Sequence, residues 1–156
     1  MPPRPSSTLQ IKGKKRHLLV DTQGLLMHVL VHGADIQDRD GGVLVMATIF
    51  GLYPFLRKLY ADGGYSGKIF QEGLKRVMAN LSIEIIKRSD AAKGFVVLPK
   101  RWIVERSIAC LNRNRRLAKD WECLNQKART LLLWASIRLM LRKLCNPNSC
   151  FSTDPQ

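Results

Sequence analysis

The chain has 156 residues, of which 46% are hydrophobic; this is enough for one domain with a packed core and argues against a disordered polypeptide. Its 26 lysines and arginines outnumber 12 acidic residues, and the net charge of +14 favours a polyanionic partner, nucleic acid above all. The N-terminus has no signal-peptide core, and the longest apolar run, LLLWASIRLML, is too short to span a membrane and contains Arg138. We expect a soluble, cytoplasmic protein with no membrane association.

The first third of the chain alternates short apolar runs with polar turns. Residues 1–11 are rich in proline and serine, which predicts a disordered lead-in. In HLLVDTQGLLMHVLVH, two apolar runs flank Thr22-Gln23-Gly24, a pattern that predicts a hairpin of two strands. The polar loop ADIQDRDGG then precedes a predicted helix over roughly 42–57, with Asp40 as its N-cap and Pro54 as a residue that ends or kinks it.

The remaining two thirds predict alternating strands and helices. KLYAD is a short predicted strand that ends at Asp62, SGKIFQEGLKRVMANL has helical periodicity, and SIEIIKRS alternates as a strand. From Trp102 the pattern is helical almost to Lys143, with an interruption near 120–123. The order β-β-α-β-α-β-α-α is that of an α/β fold with a mixed sheet and flanking helices.

Asp62 stands where an apolar strand stops before two glycines. A carboxylate at the end of a buried strand costs free energy unless it is paired or holds a metal. In one interpretation Asp62 forms an Asx-turn, in which its carboxylate accepts hydrogen bonds from the next backbone amides. In the other it is a metal ligand, and both interpretations stay open at this point.

Glu105 is a lone acid among cations on the polar face of a predicted helix. Helical spacing places Arg101 one turn before it and Asn112, Arg116 and Lys119 on the same face. An ordinary i,i+4 ion pair with Arg101, worth a few tenths of a kcal/mol, is one explanation. The other is catalysis, because two carboxylates that bring hard divalent cations against phosphates are a means of attacking phosphodiester bonds.

Two basic groups are candidates for phosphate contacts, which hold a nucleic-acid backbone without reading its sequence. They are Lys12, Lys14, Lys15 and Arg16 in KGKKRH, and Arg113, Arg115, Arg116 and Lys119 near the C-terminus. Solvated surface charge is the alternative for the first group. Trp102, Trp121 and Trp134 are able to stack on bases, but packing against the sheet is the favoured interpretation.

Five phrases of the sequence together resemble the DDE transposases of bacterial insertion sequences. They are KGKKRHLLVDTQGLL, VHGADIQDRDGG, YADGGYSG, GFVVLPKRWIVERSIACLNRNRRLAKDWE and IRLMLRKL, in the order that the family has them. The resemblance is greatest to the IS-five-like group of the IS-four-like superfamily. It divides the chain into the lead-in 1–11, a partial catalytic domain over 12–144 and a flexible tail over 145–156.

The resemblance implies an RNase H-like fold and an enzyme that uses Mg²⁺ or Mn²⁺ to cleave DNA and join transposon ends to target DNA. Asp62 matches the family's second catalytic aspartate, in its A-D-x-G-Y phrase. Glu105 matches the catalytic glutamate of the Y-x2-R-x3-E-x6-K signature, and Arg101 its supporting arginine. Leu98 and Asn112 stand where that signature has tyrosine and lysine. The resemblance thus makes Asp62 and Glu105 the metal ligands.

The family's first catalytic aspartate precedes the hairpin, and MPPRPSSTLQ contains no acidic residue. Asp21 is the one substitute, but its place before Thr-Gln-Gly favours a turn-initiating role. We therefore expect a truncated catalytic domain that lacks its first strand and is inactive alone. The alternative is a catalytically inactive DNA-binding remnant, able to inhibit an intact transposase by occupying transposon ends or co-assembling with it. A homo-oligomer is a further possible assembly.

Overall fold

The computed structural model describes residues 13–87, 98–119 and 121–146. The elements in chain order are β1 (Lys14–Val20), β2 (Leu26–Gly33), α1 (Asp38–Thr48), β3 (Lys58–Asp62), a 3₁₀ turn (Gly63–Tyr65), α2 (Lys68–Val77), β4 (Ser82–Ile86), α3 (Pro99–Asn112), α4 (Arg115–Ala118) and α5 (Asn125–Cys145). The predicted order is confirmed, with the short helix α4 in addition. The predicted lead-in 1–11 and residues 147–156 of the predicted tail lie outside the described residues, as do residues 88–97.

Both antiparallel and parallel strand pairs are present. β1 and β2 form the predicted antiparallel hairpin, and β3 and β4 form a parallel pair in which Asp62 lies opposite Ile86. The hairpin register shifts between Leu19 and Val20, which are paired with His28 and Leu26. This α/β arrangement of mixed strand pairs and flanking helices confirms the predicted fold class and is compatible with an RNase H-like fold.

Helices cover both sides of the hairpin, because alternate residues of β1 belong to two different cores. The first core joins Leu19 of β1 and Leu59 of β3 to helices α1 and α2. The second core joins the hairpin to the C-terminal helices, and Leu18 and Val20 pack against it. Its buried members are Leu26, Val29, Val31, Leu111, Leu117, Ala128, Leu132 and Ala135. The hairpin is therefore a layer between two groups of helices.

The predicted boundaries of the first helix were wrong. Helix α1 spans Asp38–Thr48 rather than 42–57, and its N-cap is Gln37, so that Asp40 lies inside the first turn. An acidic residue there is stabilised by the positive end of the helix dipole. Gly41 lies inside the helix. A larger residue would not fit there, because a Cβ at this position would be 2.3 Å from Nε2 of His17. Gly41 thus allows α1 to pack closely on the hairpin, and Gly42 allows it to pack closely on Phe70 and Tyr65, so the pair does not form a loop.

The C-terminal helices are interrupted earlier than the sequence indicates. Helix α3 ends at Asn112, where the Asn114 side-chain amide donates to the Leu111 carbonyl, and α5 begins only at Asn125. The favoured packing of the tryptophans against the sheet was wrong for Trp121 and Trp134, which are 67% and 69% exposed, and Trp102 is itself 38% exposed. No helix within residues 13–87, 98–119 and 121–146 is both long and apolar enough to cross a membrane.

Candidate active site

A cavity of about 380 Å³ lies between β1 and β3 and includes both predicted catalytic carboxylates in its wall. Residues 16–19 of β1 form one side, and residues 59–62 of β3 form the opposite side. The first core closes the cavity from one direction, and helix α3 contributes residues between Lys100 and Ile108 from the other. Asp62 and Glu105, which lie on different elements, therefore face the same space.

Asp62 occupies the last position of β3, as predicted. Its Oδ1 accepts a hydrogen bond from the Gly63 amide at 2.7 Å, so the turn contact expected of an Asx residue is present. The same oxygen lies 3.5 Å from Nη1 of Arg101. Because the Asp62 side chain is 52% exposed, the turn contact leaves its carboxylate open to solvent and to a ligand.

Glu105 makes the i,i+4 pair that its helix spacing predicts. Its Oε1 accepts a hydrogen bond from Nε of Arg101 at 2.8 Å. The hydrogen bond with Glu105 and, second, the charge of Asp62 raise the pKa of Arg101 above its usual value. One guanidinium thus contacts both carboxylates, and it brings the strand end and the helix face together in one site.

Helix α3 is held against the strand pair by further contacts near its N-terminus. Glu84 on β4 lies 2.8 Å from Nζ of Lys58 and 3.6 Å from Nζ of Lys100, and Lys100 lies 3.9 Å from the centre of the Tyr60 ring. Deeper along the helix, the Ser107 hydroxyl donates to the Gly24 carbonyl at 2.7 Å. Because the ion pairs of Glu84 are exposed, they contribute little stability.

The donor set fits a divalent cation in part. Oxygen ligands are those that Mg²⁺ and Mn²⁺ prefer, and Asp62 and Glu105 supply two accessible carboxylates. Arg101 neutralises part of their charge in the arrangement seen here. Among the residues that the structure describes, no group of three histidine, cysteine, aspartate or glutamate side chains is placed to hold a metal. The two carboxylates are therefore an incomplete ligand set.

Asp21 is engaged in the hairpin turn. Its Oδ1 accepts hydrogen bonds from the amides of Gln23 and Leu25, at 2.9 and 2.8 Å, and its carbonyl accepts from Gly24. Asp21 is not part of the wall of the cavity between β1 and β3. The structure thus places it where its turn-initiating role predicts.

A buried polar group next to the site escaped the sequence reasoning. The Tyr65 hydroxyl lies 2.6 Å from Nδ1 of His17, and the His17 ring stacks on that of His32 at 4.6 Å between centroids. Burial, then the charges of Asp38 and Asp62, raise the pKa of Tyr65 to about 12. Tyr65 therefore stays protonated, and its hydroxyl shares a hydrogen bond with Nδ1 of His17. The signal available in the sequence was the tyrosine that follows the strand-end aspartate in YADGGYSG.

Acidic conditions should destabilise the fold through His17. Burial first, and the neighbouring His32 second, lower the pKa of His17 below 6.5. Because the unfolded chain then binds a proton more readily than the folded chain, the free energy of unfolding should fall as the pH drops below about 6.5. Urea titrations at several pH values, with the His17 ring followed by NMR, measure both effects. A His17 pKa at or above 6.5 in the folded protein would contradict this prediction.

The two predicted phosphate-binding groups differ in their surroundings. In the first group, Lys14 donates a hydrogen bond to the Glu122 carbonyl, and Arg16 donates one to the Leu117 carbonyl at 2.9 Å. Nζ of Lys15 lies 3.0 Å from Oδ1 of Asp38. These three lysine and arginine side chains are half-buried and connect the hairpin to neighbouring elements. Lys12 lies outside the described residues. The second group, Arg113, Arg115, Arg116 and Lys119, is exposed around α4. The second group is thus the more accessible to a phosphate backbone.

Most of the chain resembles a known family of proteins. A model of the Transposase DDE domain family matches residues 4–140, which include β3, α3 and the two carboxylates that meet at Arg101. Neither the curated proteins nor the solved structures give a significant match. Since the family match spans most of the sequence, the chain belongs to the DDE transposase family.

Proposed function

We propose that residues 12–144 form the greater part of the catalytic domain of an IS-five-like insertion-sequence transposase, which cleaves DNA and transfers strands during transposition. The observation that supports this most is the meeting of Asp62 and Glu105. They lie on separate elements, yet both contact Arg101 in the wall of one cavity. If Arg101 and Glu105 formed only an ordinary surface ion pair within α3, that pair would not involve Asp62 at the end of β3. The contact of Arg101 with Asp62 goes beyond such a pair.

In this proposal Asp62 and Glu105 hold Mg²⁺ or Mn²⁺ through their carboxylate oxygens. When bound, the ions polarise the phosphoryl oxygen and activate a water or a 3′-hydroxyl for attack. Arg101 is a positioning residue, because it keeps the two carboxylates close together while each remains accessible. The exposed cations around α4 contact the DNA backbone and hold it in register.

A third carboxylate completes the site when a strand bearing an aspartate is added before β1. Without that carboxylate the metal ions are incompletely held, and the charge that develops in the transition state loses much of its stabilisation. The experiment compares the chain alone with a version extended by such a strand, on a supercoiled plasmid that carries the DNA flanking the gene. We expect nicking by the extended protein in Mg²⁺ or Mn²⁺, and none by the chain alone. Nicking by the chain alone would refute the need for an added carboxylate, and Asp21→Asn would then test Asp21 as the third ligand.

The chain should bind duplex DNA with little sequence preference and with strong salt dependence. If it neutralises about six phosphates, affinity should fall roughly a thousandfold between 50 and 200 mM salt. Changing Arg115 and Lys119 to glutamine should reduce the slope of log K against log salt by about two, because each charge removed releases about one counterion fewer. The measurement is a fluorescence-anisotropy titration at several salt concentrations.

A matched control for this titration is available on the other side of the molecule. Lys75 and Arg76 are exposed at the end of α2, which packs on the first core, whereas α4 packs on the second. Their double replacement by glutamine removes the same charge and should leave the slope nearly unchanged. If both double replacements reduce the slope of log K against log salt equally, the DNA contacts have no preferred face of the protein. Binding that does not change with salt would contradict phosphate contact altogether.

A non-catalytic DNA-binding role is the second candidate, and it is favoured because no group of three histidine, cysteine, aspartate or glutamate side chains among the described residues is placed to hold a metal. Such a protein would occupy transposon ends or join an intact transposase in an inactive assembly. Metal dependence separates the two functions, because phosphate binding by lysine and arginine needs no divalent ion. If the extended protein binds DNA equally well with EDTA and Mg²⁺ and never nicks it, the inhibitory role is the better account.

A further inference from the structure

Trp121 presents its aromatic ring to solvent in the connection between α4 and α5. The residue is 67% exposed and belongs to neither hydrophobic core. The packing against the sheet that the sequence favoured therefore does not account for it. Single exposed apolar residues are common on protein surfaces, so the surroundings of the ring decide what its exposure indicates.

The backbone on both sides of Trp121 is anchored to β1. Before it in the chain, the Leu117 carbonyl accepts a hydrogen bond from Arg16 at 2.9 Å, and the Leu117 side chain is 3% exposed in the second core. After it, the Glu122 carbonyl accepts a hydrogen bond from Lys14. The ring thus projects from a segment that is held on both sides, and a group that is already positioned loses less conformational entropy when it binds.

The Trp121 ring lies beside the exposed basic group around α4. Nζ of Lys119 is 5.6 Å from the centre of the ring. Glu122, the acidic residue that follows Trp121, lies 3.0 Å from Nη2 of Arg116, and Asp120 lies outside the described residues. The exposed cations of this group are Arg113, Arg115, Arg116 and Lys119. An aromatic face next to several cations is the combination by which proteins bind single-stranded nucleic acid, since the ring stacks on a base and the cations contact phosphates.

Trp134 has the same exposure in different surroundings. It is 69% exposed on α5, and Ile137, Leu141 and Leu144 follow it as exposed apolar residues at spacings of three, four and three. These spacings place the four side chains on one face of the helix, which is therefore apolar along its length. Trp134 is thus a matched control, because it is as exposed as Trp121 but is accompanied by apolar residues instead of cations.

We infer that Trp121 stacks on an unpaired base of DNA while the cations around α4 hold the phosphates of the same strand. Inside a duplex both faces of a base are covered by its neighbours, so the ring stacks only on a base in a single strand, at a strand end or turned out of the helix. The inference rests on the proposed function for the identity of the polyanion, and on the surroundings of Trp121 for the stacking. The ligand of this surface is therefore single-stranded or locally opened DNA.

The test measures the affinity of the full chain, in EDTA, for a labelled strand of about twelve thymidines and for a longer duplex in which terminal bases are few. We expect Trp121→Ala to weaken binding of the single strand at least about fivefold, the loss expected for one stacked base, and binding of the duplex by less than about twofold. Trp134→Ala should change neither affinity by more than about twofold, because no cations accompany that ring. The slope of log K against log salt should be the same in Trp121→Ala as in the unchanged chain, since stacking releases no counterions.

Tryptophan fluorescence gives a second measurement that does not depend on the alanine variants. The chain has three tryptophans, so Trp102→Phe combined with Trp134→Phe leaves Trp121 as the only emitter. Its emission should be quenched when the thymidine strand binds, whereas Trp134 as the only emitter should not be quenched. Equal losses for single strand and duplex in Trp121→Ala, equal losses for Trp121→Ala and Trp134→Ala, or unquenched Trp121 emission in the saturated complex would each overturn the inference.

Failure of this inference and failure of the proposed function are distinguishable, because the titrations are made without a divalent ion. If the extended protein nicks DNA but Trp121→Ala binds the single strand as tightly as the unchanged chain, the stacking inference is wrong and the proposed function stands. If Trp121→Ala weakens binding of the single strand alone, but the extended protein never nicks DNA in Mg²⁺ or Mn²⁺, the stacking inference stands and catalysis is refuted.

Discussion

Replacing Asp62 by asparagine in the extended protein should lower DNA nicking at least about a hundredfold, which corresponds to roughly 2.7 kcal/mol or more of lost transition-state stabilisation. The change preserves the size of the side chain and its ability to accept from the Gly63 amide, and it removes the charge that holds a cation. Glu105→Gln should have an effect of the same order, since it removes the second ligand. Initial rates of plasmid nicking in Mg²⁺ and in Mn²⁺ measure both effects.

Glu72→Gln is the matched control for these changes. Glu72 is exposed on α2 and is not part of the cavity wall, so its replacement removes one negative charge without touching the site. It should leave the nicking rate within about twofold, because a distant exposed charge contributes little in salt. If the Asp62→Asn variant nicks DNA at the same rate as the Glu72→Gln variant, Asp62 is not a metal ligand of the active site.

Phe70→Ala should cost about 3–5 kcal/mol in the free energy of unfolding, enough to unfold a domain of ordinary stability. The Phe70 side chain is 1% exposed in the first core, and it contacts the Tyr65 ring at 5.5 Å between centroids. Removing it leaves a cavity where α2 packs on α1 and the strands. Urea denaturation at pH 7.5, followed by circular dichroism, gives the value.

Phe55→Ala provides the comparison for this second prediction. It makes the same chemical change at a side chain that is 69% exposed, and it should alter stability by no more than about 0.5 kcal/mol. If the two variants lose similar amounts of stability, the first core is not built around Phe70, and the packing that supports β3 and Asp62 would need to be reconsidered.

Local patterns in the sequence were sufficient for the strands that carry the site. KLYAD was predicted as a strand that ends at Asp62, and β3 spans Lys58–Asp62, because an apolar run followed by two glycines fixes both the strand and its end. The two runs around Thr22-Gln23-Gly24 likewise predicted the hairpin of β1 and β2. In both cases the determining interactions lie within a few residues.

Tertiary contacts decided the features that the sequence did not reveal. The Gly41-Gly42 pair has the composition of a loop, yet it lies inside α1. Glycine is needed at these two positions because the rings of His17 and Phe70 lie where a side chain would be. Helix α3 stops at Asn112, a boundary that helical periodicity did not show. Such contacts join residues far apart in sequence, so no local pattern records them.

The candidate site was predictable in part. Helix spacing alone indicated the pair of Arg101 and Glu105, whereas the resemblance to the family suggested that Asp62 belongs with them. The contact between Arg101 and Asp62 crosses from helix to strand end, and spacing does not predict it. For the basic residues, sequence showed the charge of Lys14 and Arg16 but not the backbone carbonyls that they bind.

The central claim is that Asp62 and Glu105 bind a divalent cation together, and a Mn²⁺ titration of the extended protein tests it most directly. The electron paramagnetic resonance signal of free Mn²⁺ reports the bound fraction in the absence of DNA. We predict that Asp62→Asn and Glu105→Gln each weaken Mn²⁺ binding by at least tenfold, while Glu72→Gln leaves it unchanged. Equal Mn²⁺ affinity in the unchanged protein and in Asp62→Asn would contradict the claim.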